Sequence, residues 1–150
     1  MSHHRPLYLA GPMSGYPDFN RPAFAASAER LRSHGFFVLN PGTLNPDCSY
    51  RQALSVDLTW IISHAEVCAF QEGWKASPGA TAEHALAEAL LRDKAKPMTI
   101  WYLPAGFAHG DAGDVLVRTL QEEHVLHFPA VPPSSPRVYR PDADILAEWG

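Results

Sequence analysis

The fold is decided by residues 7–15, which read LYLAGPMSG. Four apolar residues end at the pair Gly11-Pro12, which interrupts regular structure, so a short buried β-strand followed by a turn is predicted. Further apolar runs occur at residues 36–39, 67–70 and 98–103, with room for a helix between successive runs. Strands that alternate with helices favour an α/β fold with a mostly parallel sheet covered on both faces.

Helical spacing of apolar residues fills the gaps between these strands. The first helix is predicted to begin after Asn20 as its N-cap, with Pro22 in the first turn, and to end at Gly35. The second is predicted over roughly residues 50–64 and the third over residues 80–92. Each helix is long enough to cross from one parallel strand to the next.

The remainder of the chain is predicted to complete the same domain. Residues 115–123 favour a helix, residues 125–128 a fifth strand, and the Pro-rich residues 129–141 an extended arm before a short helix capped by Asp142. We therefore expect one domain over all 150 residues, with its core at about residues 6–128. The expected architecture is a single doubly wound, mostly parallel five-stranded sheet of the Rossmann or flavodoxin-like kind, with helices on both faces.

The composition is that of a globular protein. Hydrophobic residues make up 46% and the formal net charge is −4, without a long basic run, so nucleic acid and anionic membranes are not indicated as partners. No stretch approaches a signal peptide or the ~18 apolar residues of a membrane span, so a cytoplasmic protein is expected. Cys48 and Cys68 do not indicate a disulfide framework, and the histidines lack zinc-ligand spacing, so neither a metal nor a cofactor is expected.

In open parallel sheets, ligands bind beyond the carboxyl ends of the strands. That rule selects three loops, at residues 11–20, 40–49 and 71–79. The first has no G-x-G-x-x-G fingerprint and no P-loop lysine, which argues against a Rossmann dinucleotide enzyme and a P-loop nucleoside triphosphatase. Its glycines either let backbone N–H groups approach a ligand closely or simply form a tight turn.

The third loop is a stronger candidate for a functional site than the first, because it leads directly into a helix N-terminus. Ser77 followed by Pro78 predicts an N-cap with proline at the first helical position. Glu83 lies six residues after Ser77, where a helix N-terminus would hold a phosphate and favour an ionised carboxylate. The alternatives are that Ser77 only caps the helix and that Glu83 belongs to a solvated helix face.

Two further polar side chains fall in segments predicted to be partly buried. Asp57 lies near the edge of the apolar stripe of the second helix, where a carboxylate is either exposed or else paired or functional. Tyr8 lies inside the first strand, where it is either a core tyrosine or one whose hydroxyl has a functional partner.

Taken together, these segments resemble the nucleoside 2-deoxyribosyltransferase superfamily, and in particular its small, often phage- or prophage-associated proteins of the DUF4406 type. The resemblance covers about residues 7–103 and is specific for the superfamily rather than for a substrate. It is carried by residues 7–15, Phe19-Asn20, Asn40-Pro41, Asp57-Leu58, and the string W-x-x-S-x-G-x-x-x-E from Trp74 to Glu83.

The resemblance implies that Glu83 is a nucleophile, that Tyr8 orients its carboxylate, and that Asp57 assists departure of a base. The implied reaction cleaves the N-glycosidic bond of a nucleoside 5′-monophosphate, or a nucleoside, through a covalent glycosyl-Glu83 intermediate, and then releases or transfers the base. The implied substrate-binding residues are Gly11, Pro12, Met13, Ser14, Gly15, Phe19, Asn20, Trp74, Ser77 and Gly79.

Two departures bear on the substrate. Deoxyribosyltransferases have an aspartate where this chain has Ser77, whereas the superfamily's 5′-monophosphate hydrolases have serine, and a hydroxyl at a helix N-terminus binds a phosphate that a carboxylate would repel. Those hydrolases have an arginine at the position of Ser14, so the positive charge must come from Arg21, Lys75 or a neighbouring subunit.

Other functions stay open from the sequence. The resemblance implies a homodimer or larger homo-oligomer whose subunits complete each other's sites. The alternative to an enzyme is a nucleotide-binding or sensor module without catalysis, for instance a phage accessory protein, and a third option is a dimeric structural protein. A binding module would tolerate the loss of Glu83, whereas an enzyme would not.

Overall fold

A computed structural model describes residues 5–41 and 48–109 of the chain. In these ranges the strands are β1 (Pro6–Ala10), β2 (Phe37–Leu39), β3 (Val67–Phe70) and β4 (Thr99–Tyr102), and the helices are α1 (Arg21–Ser33), α2 (Tyr50–Ser63) and α3 (Pro78–Leu90). Short 3₁₀ turns at Pro17–Asn20 and Trp74–Ala76 precede α1 and α3. No helix within the described ranges is long and apolar enough to cross a membrane.

The four strands form one parallel sheet in the order β2-β1-β3-β4. Strand β1 is therefore interior, and Tyr8 on it lies opposite Leu39 of β2 and Cys68 of β3. The α/β class and the parallel pairing predicted from the sequence are confirmed for these strands. The predicted helix at 115–123, the fifth strand at 125–128 and the C-terminal arm lie outside the described residues.

Alternate residues along the strands contribute to two separate apolar clusters, because successive side chains of a strand point to opposite faces. On one face Leu7 packs with Phe24 of α1. On the other face Tyr8 packs with Ile61 of α2 and Ala87 of α3. Helix α1 therefore covers one face of the sheet, and α2 and α3 cover the other.

The helix starts show where the sequence signals were right and where they were wrong. Helix α3 begins at Pro78, two residues before the predicted start, because Ser77 Oγ accepts a hydrogen bond from Ala80 N at 3.2 Å and proline takes the first position. Asn20 is the N-cap residue of α1, as predicted, but its side chain does not cap the helix. Its side chain makes no cap hydrogen bond and instead donates Nδ2 to Pro12 O at 2.9 Å.

The geometry before α1 explains this failure. Asp18, Phe19 and Asn20 all have left-handed backbone angles, with φ of 51°, 53° and 61°. An N-capping residue ordinarily has an extended conformation, which lets its side chain reach back to the first N–H groups of the helix. The left-handed turn removes that possibility for Asn20.

We expect Phe24→Ala to lower the free energy of unfolding by about 3–5 kcal/mol, because the ring is completely buried between α1 and the sheet. The matched control is Phe37→Ala, the same truncation of a ring that is 61% exposed, with an expected loss below about 1 kcal/mol. Urea denaturation measures both variants. Equal losses would contradict the packing of α1 on the sheet.

Candidate active site

Tyr8, Asp57 and Glu83 meet on the face of the sheet that α2 and α3 cover. They come from β1, α2 and α3, and the Tyr8 hydroxyl donates a hydrogen bond to Glu83 Oε2. Tyr8 is completely buried, while Asp57 is 7% and Glu83 5% exposed. The exposed alternatives for Asp57 and Glu83 are therefore wrong, and we call these three residues the carboxyl cluster.

Burial controls the ionisation of the cluster, because removal from water disfavours the charged form of a carboxyl group. Burial raises the pKa of Glu83 from its ordinary 4.5 to about 8, and the hydrogen bond from Tyr8 opposes this rise. Burial also raises the pKa of Asp57, to about 6. The pKa of Tyr8 lies well above its usual value because of burial and the two nearby carboxylates. The two carboxyl groups therefore titrate as a coupled pair.

The two carboxyl groups affect each other's ionisation. Interaction with Asp57 raises the pKa of Glu83, and interaction with Glu83 lowers the pKa of Asp57. Asp57 Oδ1 is buried and has no hydrogen-bond partner in the described part of the chain. The arrangement is a buried carboxyl pair in which the Tyr8 hydroxyl favours charge on Glu83.

Helices α2 and α3 pack together, and the Tyr50 side chain at the start of α2 reaches the first turn of α3, where a Cβ atom at Gly79 would lie 3.8 Å from the Tyr50 hydroxyl. Helix α2 begins with a capping box in which Ser49 Oγ accepts from Gln52 N, and Gln52 Oε1 accepts from Ser49 N. Ser77 accepts the cap hydrogen bond of α3, which leaves its hydroxyl hydrogen available for another acceptor. Helix N-termini favour an anion.

The first loop is arranged differently from the carboxyl cluster. Gly11 and Pro12 are buried, and Gly11 packs toward the α1 side, where an added Cβ would lie 3.0 Å from Gln71 Nε2. Met13 is partly buried against the α1-side cluster. Three of the other predicted binding residues of this loop are exposed, namely Ser14, Gly15 and Phe19. The fourth, Asn20, donates a hydrogen bond from Nδ2 to Pro12 O within the loop.

The third loop contributes to a cluster of four aromatic rings, of which only Trp74 was predicted as a site residue from the sequence. Trp74 stacks on His84 with ring centroids 4.2 Å apart and an interplanar angle of 26°. Phe70 and Tyr102 pack against the same rings, and His84 Nε2 lies 2.7 Å from the Tyr102 hydroxyl. The sequence signal for His84 was its place directly after Glu83. Its pKa is lowered by burial, which favours the neutral ring.

Cys68 adds a thiol next to the carboxyl cluster. Both cysteines are free, and Cys68 is fully buried on β3 opposite Tyr8. Burial and the charge of Glu83 raise the pKa of the Cys68 thiol, so it stays protonated. Across residues 5–41 and 48–109, no group of three or more histidine, cysteine, aspartate or glutamate side chains is arranged to hold a metal ion.

Two cavities open at the carboxyl ends of the strands. One of about 360 Å³ lies between α1 and the segment after β4, and we call it the α1-side cavity. The other, of about 270 Å³, is lined by Trp74 and Tyr102, and we call it the aromatic cavity. Glu72 and Gly73 line both cavities, and neither cavity is lined by a residue of the carboxyl cluster.

The stability of the protein should depend on pH through Glu83. Because native Glu83 holds its proton more tightly than the unfolded chain does, its contribution is fully present below pH 4.5 and is lost as pH rises through about 8. The free energy of unfolding of wild type minus that of Glu83→Gln should fall by about 1 kcal/mol or more between roughly pH 5 and pH 8.

Urea denaturation across this pH range measures the difference. Glu29→Gln is the matched control, since Glu29 makes the same exchange at an exposed position of a helix, α1. This variant should follow wild type at every pH. A pH-independent difference between wild type and Glu83→Gln would show that Glu83 ionises normally in the folded protein.

Comparison with known proteins supports the family but no named function. The family model described as a domain of unknown function, DUF4406, matches residues 5–93, which is more than half of the 150 residues. This range contains the whole carboxyl cluster and both helix N-termini described above. Neither a curated protein nor a solved structure matches the chain. The chain belongs to the DUF4406 family.

Proposed function

We propose that this protein cleaves the N-glycosidic bond of a nucleoside 5′-monophosphate, or of a nucleoside, with Glu83 as the nucleophile. The observation that carries the proposal is the buried carboxyl cluster, in which Tyr8 binds Glu83 beside Asp57. Retaining glycosidases use such a pair, one carboxylate attacking the anomeric carbon and one carboxylic acid protonating the leaving group.

The sequence resemblance to the nucleoside 2-deoxyribosyltransferase superfamily supports the same roles. The proposal includes the superfamily's doubly wound, five-stranded fold of the Rossmann or flavodoxin-like kind, with which the parallel order β2-β1-β3-β4 is compatible. It also includes a cytoplasmic homo-oligomer, in which a neighbouring subunit completes the substrate site.

The reaction needs Glu83 ionised and Asp57 protonated. The Tyr8 hydroxyl stabilises the charge on Glu83, and Asp57 holds the proton that the leaving base needs. The Glu83 carboxylate then attacks C1′. As the bond from C1′ to the base nitrogen breaks, its electron pair leaves with the base, which takes the proton of Asp57.

The second half of the reaction regenerates the site. Asp57, now a carboxylate, takes a proton from a water molecule that attacks C1′, and the bond between C1′ and Glu83 breaks, so the sugar leaves. In a transferase, a second base takes the place of water. The carboxyl cluster therefore supplies the nucleophile, the acid and base, and the hydroxyl that stabilises the nucleophile.

The N-termini of α2 and α3 support a substrate with a 5′-phosphate. Ser77 retains a hydroxyl hydrogen for a phosphate oxygen, and the helix dipoles favour the negative charge. Of the two cations considered within the chain, Arg21 already pairs with Asp18 at 3.1 Å. Lys75 is exposed in the third loop and is the better candidate for the remaining charge.

A nucleotide-binding module without catalysis is the second candidate. One observation favours it: Tyr8, Asp57 and Glu83 do not line the α1-side cavity or the aromatic cavity. Such a module would bind nucleotides without releasing a base, and Glu83 would then contribute only to its stability.

We expect Glu83→Gln to reduce base release by at least about a thousandfold, because a neutral amide cannot attack C1′. Chromatography of ribo- and deoxyribonucleosides and their 5′-monophosphates, with and without an acceptor base, measures the rate. Glu88→Gln is the matched control and should retain the wild-type rate. Base release that survives in Glu83→Gln would refute the nucleophile, and nucleotide binding without any base release by wild type would favour the binding module.

We expect Tyr8→Phe to move the acid limb of the pH–rate profile upward by about one pH unit, because the lost hydrogen bond no longer favours ionised Glu83. Tyr102→Phe is the control, since it removes a tyrosine hydroxyl that contacts His84 instead of Glu83. An unchanged acid limb in Tyr8→Phe, with lower turnover alone, would assign Tyr8 a packing role.

A further inference from the structure

The α1-side cavity lies on the opposite face of the sheet from the carboxyl cluster. Gln71 directly follows Phe70 at the end of β3, and Phe70 packs on the side of α2 and α3. Gln71 turns the other way, where Ser27 Oγ of α1 donates a hydrogen bond to Gln71 Oε1 at 2.9 Å. Both side chains line the α1-side cavity.

Gln71 is buried without full hydrogen bonding. Its side chain is 93% buried, since only 7% is exposed, and Nε2 has no hydrogen-bond partner among the described residues. A buried donor without a partner is unfavourable and is uncommon in native proteins. Gly11 leaves the room that this amide needs, since a Cβ there would lie 3.0 Å from Nε2. The terminal amide torsion is broad, so rotation can turn the donor toward a ligand in the cavity.

The backbone around the cavity is also unusual. The left-handed residues Asp18 and Phe19 lead into Asn20, which has φ of 61° and lines the cavity. Gly73 and Gly106, with φ of 86° and 78°, line it as well. Left-handed backbone is uncommon at non-glycine residues, although asparagine and aspartate adopt it more readily, and strained examples cluster at ligand-binding and active sites.

The chemistry of the walls limits what can bind. Glu72 is the one acidic side chain among the described residues that line the cavity, and none of these residues is lysine or arginine. The absence of lysine and arginine from that set disfavours an anion. Tyr16 and Phe107 supply flat aromatic surface, Gln71 supplies an amide, and Glu72 supplies a strong acceptor.

We propose that the α1-side cavity binds an uncharged planar heteroaromatic ring with both acceptor and donor groups on its edge, at a site separate from the carboxyl cluster. Gln71 Nε2 donates to a ring nitrogen or carbonyl, Glu72 accepts from an amino or ring N–H group, and Tyr16 contacts the ring face. In protein–DNA complexes a side-chain amide donates to N7 of adenine and accepts from its N6 amino group. Here Gln71 supplies the donor and Glu72 the acceptor, because Gln71 Oε1 already accepts from Ser27. A volume of about 360 Å³ suits a small ligand.

Isothermal titration of the full chain with adenine, ribose and inorganic phosphate tests the proposal. The protein carries Glu83→Gln, so that no turnover occurs and the result is independent of the proposed glycosidase reaction. Adenine is expected to bind, and Gln71→Met to weaken its Kd by at least about tenfold. Tyr102→Leu, in the aromatic cavity, is the control and should leave the Kd unchanged.

Gln71→Met also removes the acceptor of the buried Ser27 hydroxyl, so this variant should lose some stability as well as binding. Ser27→Ala loses the same hydrogen bond but keeps the Gln71 amide, and it should bind adenine with nearly the wild-type Kd. If Gln71→Met does not fold, Tyr16→Leu at the exposed rim gives the same comparison. Absence of adenine binding at millimolar concentration, a Kd that neither variant changes, or preferential binding of ribose or phosphate would overturn the proposal.

Discussion

The hydrogen bond from Tyr8 to Glu83 is the interaction on which the described arrangement depends. Two carboxyl groups are buried side by side, and such burial is tolerated only when one group is protonated or both find strong partners. Tyr8 supplies that partner from an interior strand, which requires β1 to lie between β2 and β3. Helix α3, which packs on β3 and β4, must then bring Glu83 to Tyr8, and α2 must bring Asp57 to the same point.

Much of the fold was predictable because buried parallel strands are continuous apolar runs. All four described strands lie within one residue of their predicted bounds, and Ser77-Pro78 marked the start of α3 even though the predicted helix began two residues late. The missing cap hydrogen bond of Asn20 was not predictable, because asparagine is common both at N-caps and in left-handed turns. Only the neighbouring backbone decides between the two conformations.

The site was less predictable than the fold, and α3 shows why. Ala80, Glu83 and Ala87 form its buried face at helical spacing, but alanine is small enough to occur on any face and does not mark an apolar stripe. The burial of Glu83 was therefore left open by the sequence. Gln71 was missed for a related reason, since a polar residue directly after a strand looks the same whether it faces solvent or the interior.

Phe70 and Gln71 are consecutive residues whose side chains serve opposite faces of one sheet. This alternation separates the selection pressures on the two faces, because a substitution at Gln71 does not alter the packing under α2 and α3. A lineage can therefore change what one face recognises while the residues of the other face are conserved. Among members of the family, we therefore expect the residues that serve one face of the sheet to vary independently of those that serve the other face.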